Sequence, residues 1–321
     1  MTYSKFLILS INVFLAIFVI FLNKMMFSSL HFNFPVAKTT IDYVVTWCCT
    51  ELCRRLNLYQ QIPWEQMPLN RSMISLVVVV AVAVPLNNLS LNSNAVGTYQ
   101  LLKLLVTPSI CLLEYVLNGE TMTLPRILSL IAASVGVALF TVKDVQLKFI
   151  GLVWALLFLP AAAYYKVHWK RVQKSFGVKS SVLSMLHRVY PLAIPILIPF
   201  SFVCDPPGVL DFPFAWYNVA LLISSGVAIF VICLSSLQIV MLFSPLTHQV
   251  LGLVKTAVSV ILSVLVLGAE VPNLSQGAGL LIALTCTGIY AKITTSELKN
   301  DTTAAHKKFS SFVSLSTRTQ V

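Results

Sequence analysis

Apolar runs of about 20 residues, each long enough to cross a ~30 Å hydrocarbon core as a helix, follow one another through this sequence up to residue 293. Inside a bilayer every backbone N–H and C=O must find its partner within the protein, which leaves only helices or a closed barrel. Barrel strands alternate apolar and polar side chains over ~10 residues. These runs are longer and apolar throughout, so the chain reads as an all-α integral membrane protein. Ten spans are expected, at approximately 6–27, 36–56, 72–92, 94–117, 124–142, 148–172, 179–203, 215–242, 244–267 and 273–293. Composition agrees: 57% of the 321 residues are hydrophobic and 10% charged, with a mean hydropathy of +0.86, where a soluble domain carries roughly a quarter charged residues. The connections leave no room for a soluble domain, and residues 294–321 read as a disordered tail. Only MTYSK precedes the first run, with no cleavable-signal pattern and no Arg/Ser-rich transit extension, so that run is expected to remain as a helix.

The formal net charge of +11 raises the question of nucleic acid, but its distribution excludes that reading. Arg54, Arg55, Arg71, Arg126, Lys170, Arg171, Lys174 and the tail lysines fall on one side of a ten-span layout. The other side holds Lys143 and Lys148 together with Asp205, Asp211 and Glu270. This is the positive-inside asymmetry, and it expects both termini in the cytosol. The seven cysteines form no CxxC and no metal-ligand spacing. No P-loop, HExxH or nucleophile elbow is present, so neither an enzyme, a metal nor a cofactor is expected.

Two lysines then stand out, Lys103 and Lys255, each in the middle of an apolar run. A lysine near the bilayer centre costs ~2.5–3.5 kcal/mol on insertion scales, so water must reach it or an anion must answer it. The two are also related to each other. NAVGTYQLLK at 94–103 is echoed by PLTHQVLGLVK at 245–255, each run following a serine, and VLNGE at 116–120 is echoed by VLGAE at 266–270. A unit of five spans has an odd count, so two copies must lie in opposite orientations. Residues 1–145 and 146–293 are therefore read as inverted five-helix repeats, a plan that puts a transporter's binding site at the repeat interface near the midplane.

On the fourth span Tyr99, Gln100, Lys103 and Thr107 share a face by i, i+3 and i+4 spacing, which brings a ring and an amide within a turn of the lysine. On the ninth, His248, Gly252 and Lys255 form a similar stripe, and Thr256 adds a hydroxyl beside the ammonium. One point charge plus one hydroxyl donor suits phosphate oxygens. Pro245 marks a helix start. Polar residues also glue membrane helices together, so Thr107, Gln100 and His248 have a packing reading as well. Lys24 is open to snorkelling or to a cavity role, and Arg188 to substrate contact or structural pairing. Lys38 is expected to pair with Asp42 at i+4, and Lys166, next to Tyr164 and Tyr165, to snorkel toward the cytosolic interface.

Asn23-Lys24, NSNAVGTYQLLKLLVTP at 92–108 and SPLTHQVLGLVKT at 244–256 resemble the triose-phosphate translocator and nucleotide-sugar transporter branch of the drug/metabolite transporter superfamily. Within it they are most like E-type members of solute carrier family 35 and the plant UDP-rhamnose/UDP-galactose and UDP-xylose transporters. The resemblance spans residues 6–293. It implies ten helices and exchange of a nucleotide sugar for the matching nucleoside monophosphate, typically in the Golgi membrane or the endoplasmic reticulum. Carried over, Lys103 and Lys255 contact phosphate and Thr256 completes a Lys-Thr pair. Plastid phosphate exchangers place an arginine after the second lysine, which Thr256 replaces, and the GALNK run of GDP-mannose carriers is absent. A UDP-sugar exchanged for UMP is therefore expected, in a protein embedded in membrane lipid that could pair as a homodimer. The alternatives are a phosphorylated-metabolite/phosphate exchanger and a non-transporting membrane scaffold.

Overall fold

The computed structural model describes residues 8–16, 18–19, 32, 34–63, 65–94, 102–103, 105–119, 121–141, 149–177, 181–248, 250–252, 254–255, 274–275, 277–290, 292–293 and 296–297. Most of these are helical, the rest being turns and connections, with no strand among the described residues. The main helices are α1 (Pro35–Arg55), α2 (Arg71–Ser93), α3 (Val106–Asn118), α4 (Leu124–Thr141), α5 (Phe149–Ser175), α6 (Val182–Cys204), α7 (Trp216–Leu242) and α8 (Gly277–Tyr290). Four of them, α2, α5, α6 and α7, are long and apolar enough to cross a membrane. Large apolar side chains such as Leu112, Val116, Phe149, Val203 and Trp216 are exposed along the helices, the surface expected of a chain whose solvent is lipid.

The helix ends follow local chemistry. Asn70 caps α2 by accepting from the Met73 N–H at 2.9 Å, and Ser181 caps α6 through the Ser184 N–H at 3.1 Å. At the start of α1 the cap comes from far away in sequence. Asp205 accepts from the N–H groups of Val36 and Ala37 at 2.9 and 2.7 Å, and from the Ser201 hydroxyl at 2.7 Å. Its negative charge lies on the positive end of the helix dipole. Gly119, at φ +66°, closes α3 in the left-handed conformation that favours glycine.

Contacts divide the chain into two compact units, 1–120 with 141–269, and 121–140 with 270–321. In the first, α2 packs on α5 and α6, α1 on α6 and α7, and α3 on α5. Its core holds Tyr43, Met73, Leu76, Val80, Trp169, Met185, Val189 and Tyr190. The rings of Tyr43 and Tyr190 stack at 4.3 Å, and Tyr43 donates its hydroxyl proton to the Val80 carbonyl at 2.9 Å. In the second unit, α4 and α8 approach so closely that a Cβ on Gly136 would lie 2.6 Å from the Ala283 nitrogen and 2.7 Å from the Gly279 oxygen. This is the backbone proximity that small residues allow between membrane helices. Arg126 holds Glu297 at 3.2 Å and lies over the Tyr290 ring.

Within the fourth expected span, Leu102 and Lys103 are helical, Leu105 is a turn residue, and α3 follows from Val106. The Leu105 N–H bonds three residues back, to Leu102, rather than four. Pro108 accounts for the break: it has no N–H to give, and its ring crowds the carbonyl four residues before it.

Candidate functional site

Lys103 therefore sits at a helix discontinuity, the kind of element that lines transporter sites near the midplane. One turn on, Thr107 is only 2% exposed, and its hydroxyl has no hydrogen-bond partner among the described residues. Ile110 and Glu114 continue the same stripe and are also buried. At its far end Glu114 meets Lys170 of α5 at 3.6 Å.

Lys255 is positioned by a separate device. Ser244 caps the ninth span, its Oγ accepting from the Thr247 N–H at 3.0 Å, while its carbonyl accepts from the His248 N–H at 3.2 Å. With Pro245 in the first turn this is a firm helix start, as the sequence indicated. His248 and Lys255, seven residues apart, then fall on one face. Both ring nitrogens of His248 are buried, without a hydrogen-bond partner among the described residues.

The charges of Lys103, Lys166 and Lys255 act on one another, and His248 lies within electrostatic range of all three. Residues 103 and 255, 152 positions apart, thus lie within electrostatic range of each other in one compact unit. Such an arrangement can bind a polyanion. Oxygens of a phosphate accept from several ammonium groups and from hydroxyl or imidazole donors at once.

The aromatic residues around Lys166 face inward, toward α2 and the core. Tyr164 shares a 3.1 Å hydrogen bond with Ser75, and His168, stacked on Tyr164 at 4.8 Å, lies 3.0 Å from the Ser72 carbonyl. Tyr165 and Trp169 turn to the Tyr43/Tyr190 core, in edge contact at 6.0 Å. The remaining face of α5, carrying Lys166 and Lys170, is turned to α3. Its i, i+4, i+8 run of lysines at 166, 170 and 174 was a signal available in the sequence. At the C-terminal end of α5, Asn118, Lys170, Arg171 and Lys174 line a cavity of about 230 Å³.

Among the other expected site residues, Arg188 is 5% exposed and donates from Nη2 to the Met67 carbonyl at 2.7 Å, tying α6 to the 57–70 connection. Lys38 and Asp42 form the expected ion pair at 2.7 Å, both buried. Tyr99, Gln100, Thr256 and Lys24 lie outside the described residues. Among the described residues no His/Cys/Asp/Glu group could hold a metal ion.

Comparison with known proteins gives a consistent picture. Residues 6–291 match the Triose-phosphate Transporter family. Nucleotide-sugar uncharacterized transporter 2 of Arabidopsis thaliana is 30% identical over 282 residues, covering 88% of this chain and 70% of its own. UDP-xylose transporter 3 of the same plant is 27% identical, over 77% and 69% of the two chains. UDP-rhamnose/UDP-galactose transporter 1 is 25% identical, over 94% and 87%. A crystal structure of another protein superposes with a TM-score of 0.65 at 13% identity, covering 92% of this chain and 98% of that one. The last likeness concerns the fold alone.

Proposed function

Because this chain belongs to the Triose-phosphate Transporter family, whose members are membrane transporters rather than enzymes, we propose that it is a nucleotide-sugar antiporter. In this reading it brings a cytosolic UDP-sugar into the lumen of the Golgi, or of the endoplasmic reticulum, and returns UMP by alternating access. Both termini lie in the cytosol. The observation that carries the proposal is that Lys103 and Lys255, one from each half of the sequence, lie within electrostatic range of each other in one compact unit. Relatives described as carriers of UDP-xylose and of UDP-rhamnose/UDP-galactose support the choice of substrate class.

The chemistry of exchange follows from the charges. Lysines held together in an empty cavity repel one another, which opposes the occluded state through which an alternating-access carrier must pass. A phosphate between Lys103 and Lys255 removes that repulsion, so the loaded carrier reorients and the empty one does not. Thr256 donates a further hydrogen bond to the phosphate, while Tyr99 and Gln100 shape the cavity and His248 supplies a ring N–H donor. Helix pairing supports an inverted five-span repeat. Under a five-span offset α1 and α6 are counterparts and pack on each other, while the α1–α7 and α6–α2 contacts exchange with one another. The bond from Asn12 Nδ2 to Ser235 of α7, at 2.7 Å, is the counterpart of the α5–α2 contact.

Proteoliposomes preloaded with UMP should take up UDP-sugar faster than liposomes preloaded with inorganic phosphate, and Lys103→Ala or Lys255→Ala should abolish the uptake. Equal uptake with phosphate would make the protein a phosphorylated-metabolite exchanger. Near-normal uptake by both variants would refute the site.

A further inference from the structure

We infer that Lys166 is a third anion-binding residue of the proposed transport site, standing on the side from which the cytosolic substrate enters. The inference rests on the antiporter reading above and adds to it a specificity-determining position.

Three observations lead there. The first is register. Asn94 donates to the Gly151 carbonyl at 2.9 Å, and Glu114 meets Lys170 at 3.6 Å. The fourth and sixth spans therefore run side by side in the same direction, at offsets of 57 and 56 residues. Lys166 then stands level with Ile110, about 10 Å along the axis from Lys103 toward the C-terminal end of α5. The second is facing. The neighbouring residues 164, 165, 168 and 169 are committed to α2 and the core, which turns 166 to the α3 side with Lys170. There it lies within electrostatic range of Lys103, Lys255 and His248. The third concerns polar satisfaction. Both ring nitrogens of His248, in electrostatic range of Lys166, are buried and unpartnered among the described residues, the state of a donor that a bound oxygen would satisfy.

The position carries a consequence. Beyond Lys166, one and two turns toward the α5 C-terminus, lie Lys170 and Lys174 of the basic cavity. Lys166, one turn further in than Lys170, is the inner step between that mouth and the Lys103/Lys255 pair. Positive walls in a low-dielectric cleft focus the field and raise the local anion concentration. A phosphate entering from this side meets Lys166 before it is shared by the deeper pair. A monoester dianion or a diphosphate gains from all three ammonium groups, and an uncharged nucleoside gains from none.

The test compares wild type, Lys166→Gln and Lys166→Arg as purified full-length protein. UMP, inorganic pyrophosphate and uridine serve as probes in thermal-shift titrations, alongside UDP-sugar uptake into UMP-loaded liposomes. Lys166→Gln should weaken the UMP and pyrophosphate midpoints and raise the uptake KM about tenfold, the value of one charge-assisted contact. Its maximal rate should stay within about twofold of wild type, and its uptake should lose salt sensitivity, since charge steering is screened by salt. Lys166→Arg should keep midpoints within about threefold, because the charge is retained. If wild type responds to UMP and Lys166→Gln responds with the same midpoint and KM, Lys166 is no ligand and the antiporter reading stands. If wild type responds to neither UMP nor pyrophosphate, that reading falls and this inference with it.

Discussion

Replacing Asp42 by alanine should be among the most damaging single changes in the first compact unit, although Asp42 takes no part in the proposed transport chemistry. Its carboxylate holds the Lys38 ammonium at 2.7 Å, and the two side chains are 6% and 3% exposed. Removing the acid alone leaves a buried charge without its counterion, which costs about 3–5 kcal/mol. Replacing both members with apolar groups of similar volume, as in Lys38→Met with Asp42→Leu, removes the charge and its desolvation penalty together. That double variant should be no less stable than wild type, within about 1 kcal/mol. Thermal or denaturant unfolding in mixed micelles separates the cases, and UMP-driven uptake at matched amounts of folded protein adds a second readout. Asp42→Ala should unfold early, while the double variant should fold and transport. An Asp42→Ala protein within about 1 kcal/mol of wild type would refute the burial argument. A folded double variant without transport would show that Lys38 belongs with Lys103 and Lys255 as a substrate contact.

Three other changes test the positioning elements. Asp205→Ala removes the cap on α1 from both N–H groups and should cost about 1–2 kcal/mol in unfolding measurements, with Asp205→Asn recovering part of it. Ser244→Ala frays the helix that presents His248 and Lys255, so stability should fall by about 1 kcal/mol. Its UMP midpoint should also weaken, and Ser244→Thr should restore both. Gly136→Val forces a side chain against the backbone of α8 and should lower the melting temperature by the equivalent of about 1–3 kcal/mol, whereas Gly136→Ala should cost less.

Much of the helical layout could be read from hydropathy, because a bilayer-length apolar run admits few other structures. The expected spans at 36–56, 72–92 and 215–242 coincide with α1, α2 and α7 to within a residue or so. The two deep lysines were legible because burying a charge in an apolar run demands a reason. Side-chain direction was less accessible. The direction of the tyrosines beside Lys166 is not written in their sequence, and only the Tyr164 bond to Ser75 and the Tyr165 contact with Trp169 show that they face inward. The turn at Leu105 is written in Pro108, whose ring acts four residues upstream while the hydropathy of the run continues unbroken through it. Asp205 looks like an ordinary loop charge until α1 is folded beside it, because its partners, Val36 and Ala37, lie about 170 residues earlier in the chain. Arg188 binds a backbone carbonyl, and no sequence pattern identifies such an acceptor.

The measurement closest to the central claim is an experimental structure of the protein with UMP bound. The account predicts the phosphate between the ammonium groups of Lys103 and Lys255, within charge-assisted hydrogen-bond distance of both, about 2.7–2.9 Å. A phosphate seated elsewhere, or either ammonium turned toward the acyl chains, would contradict it.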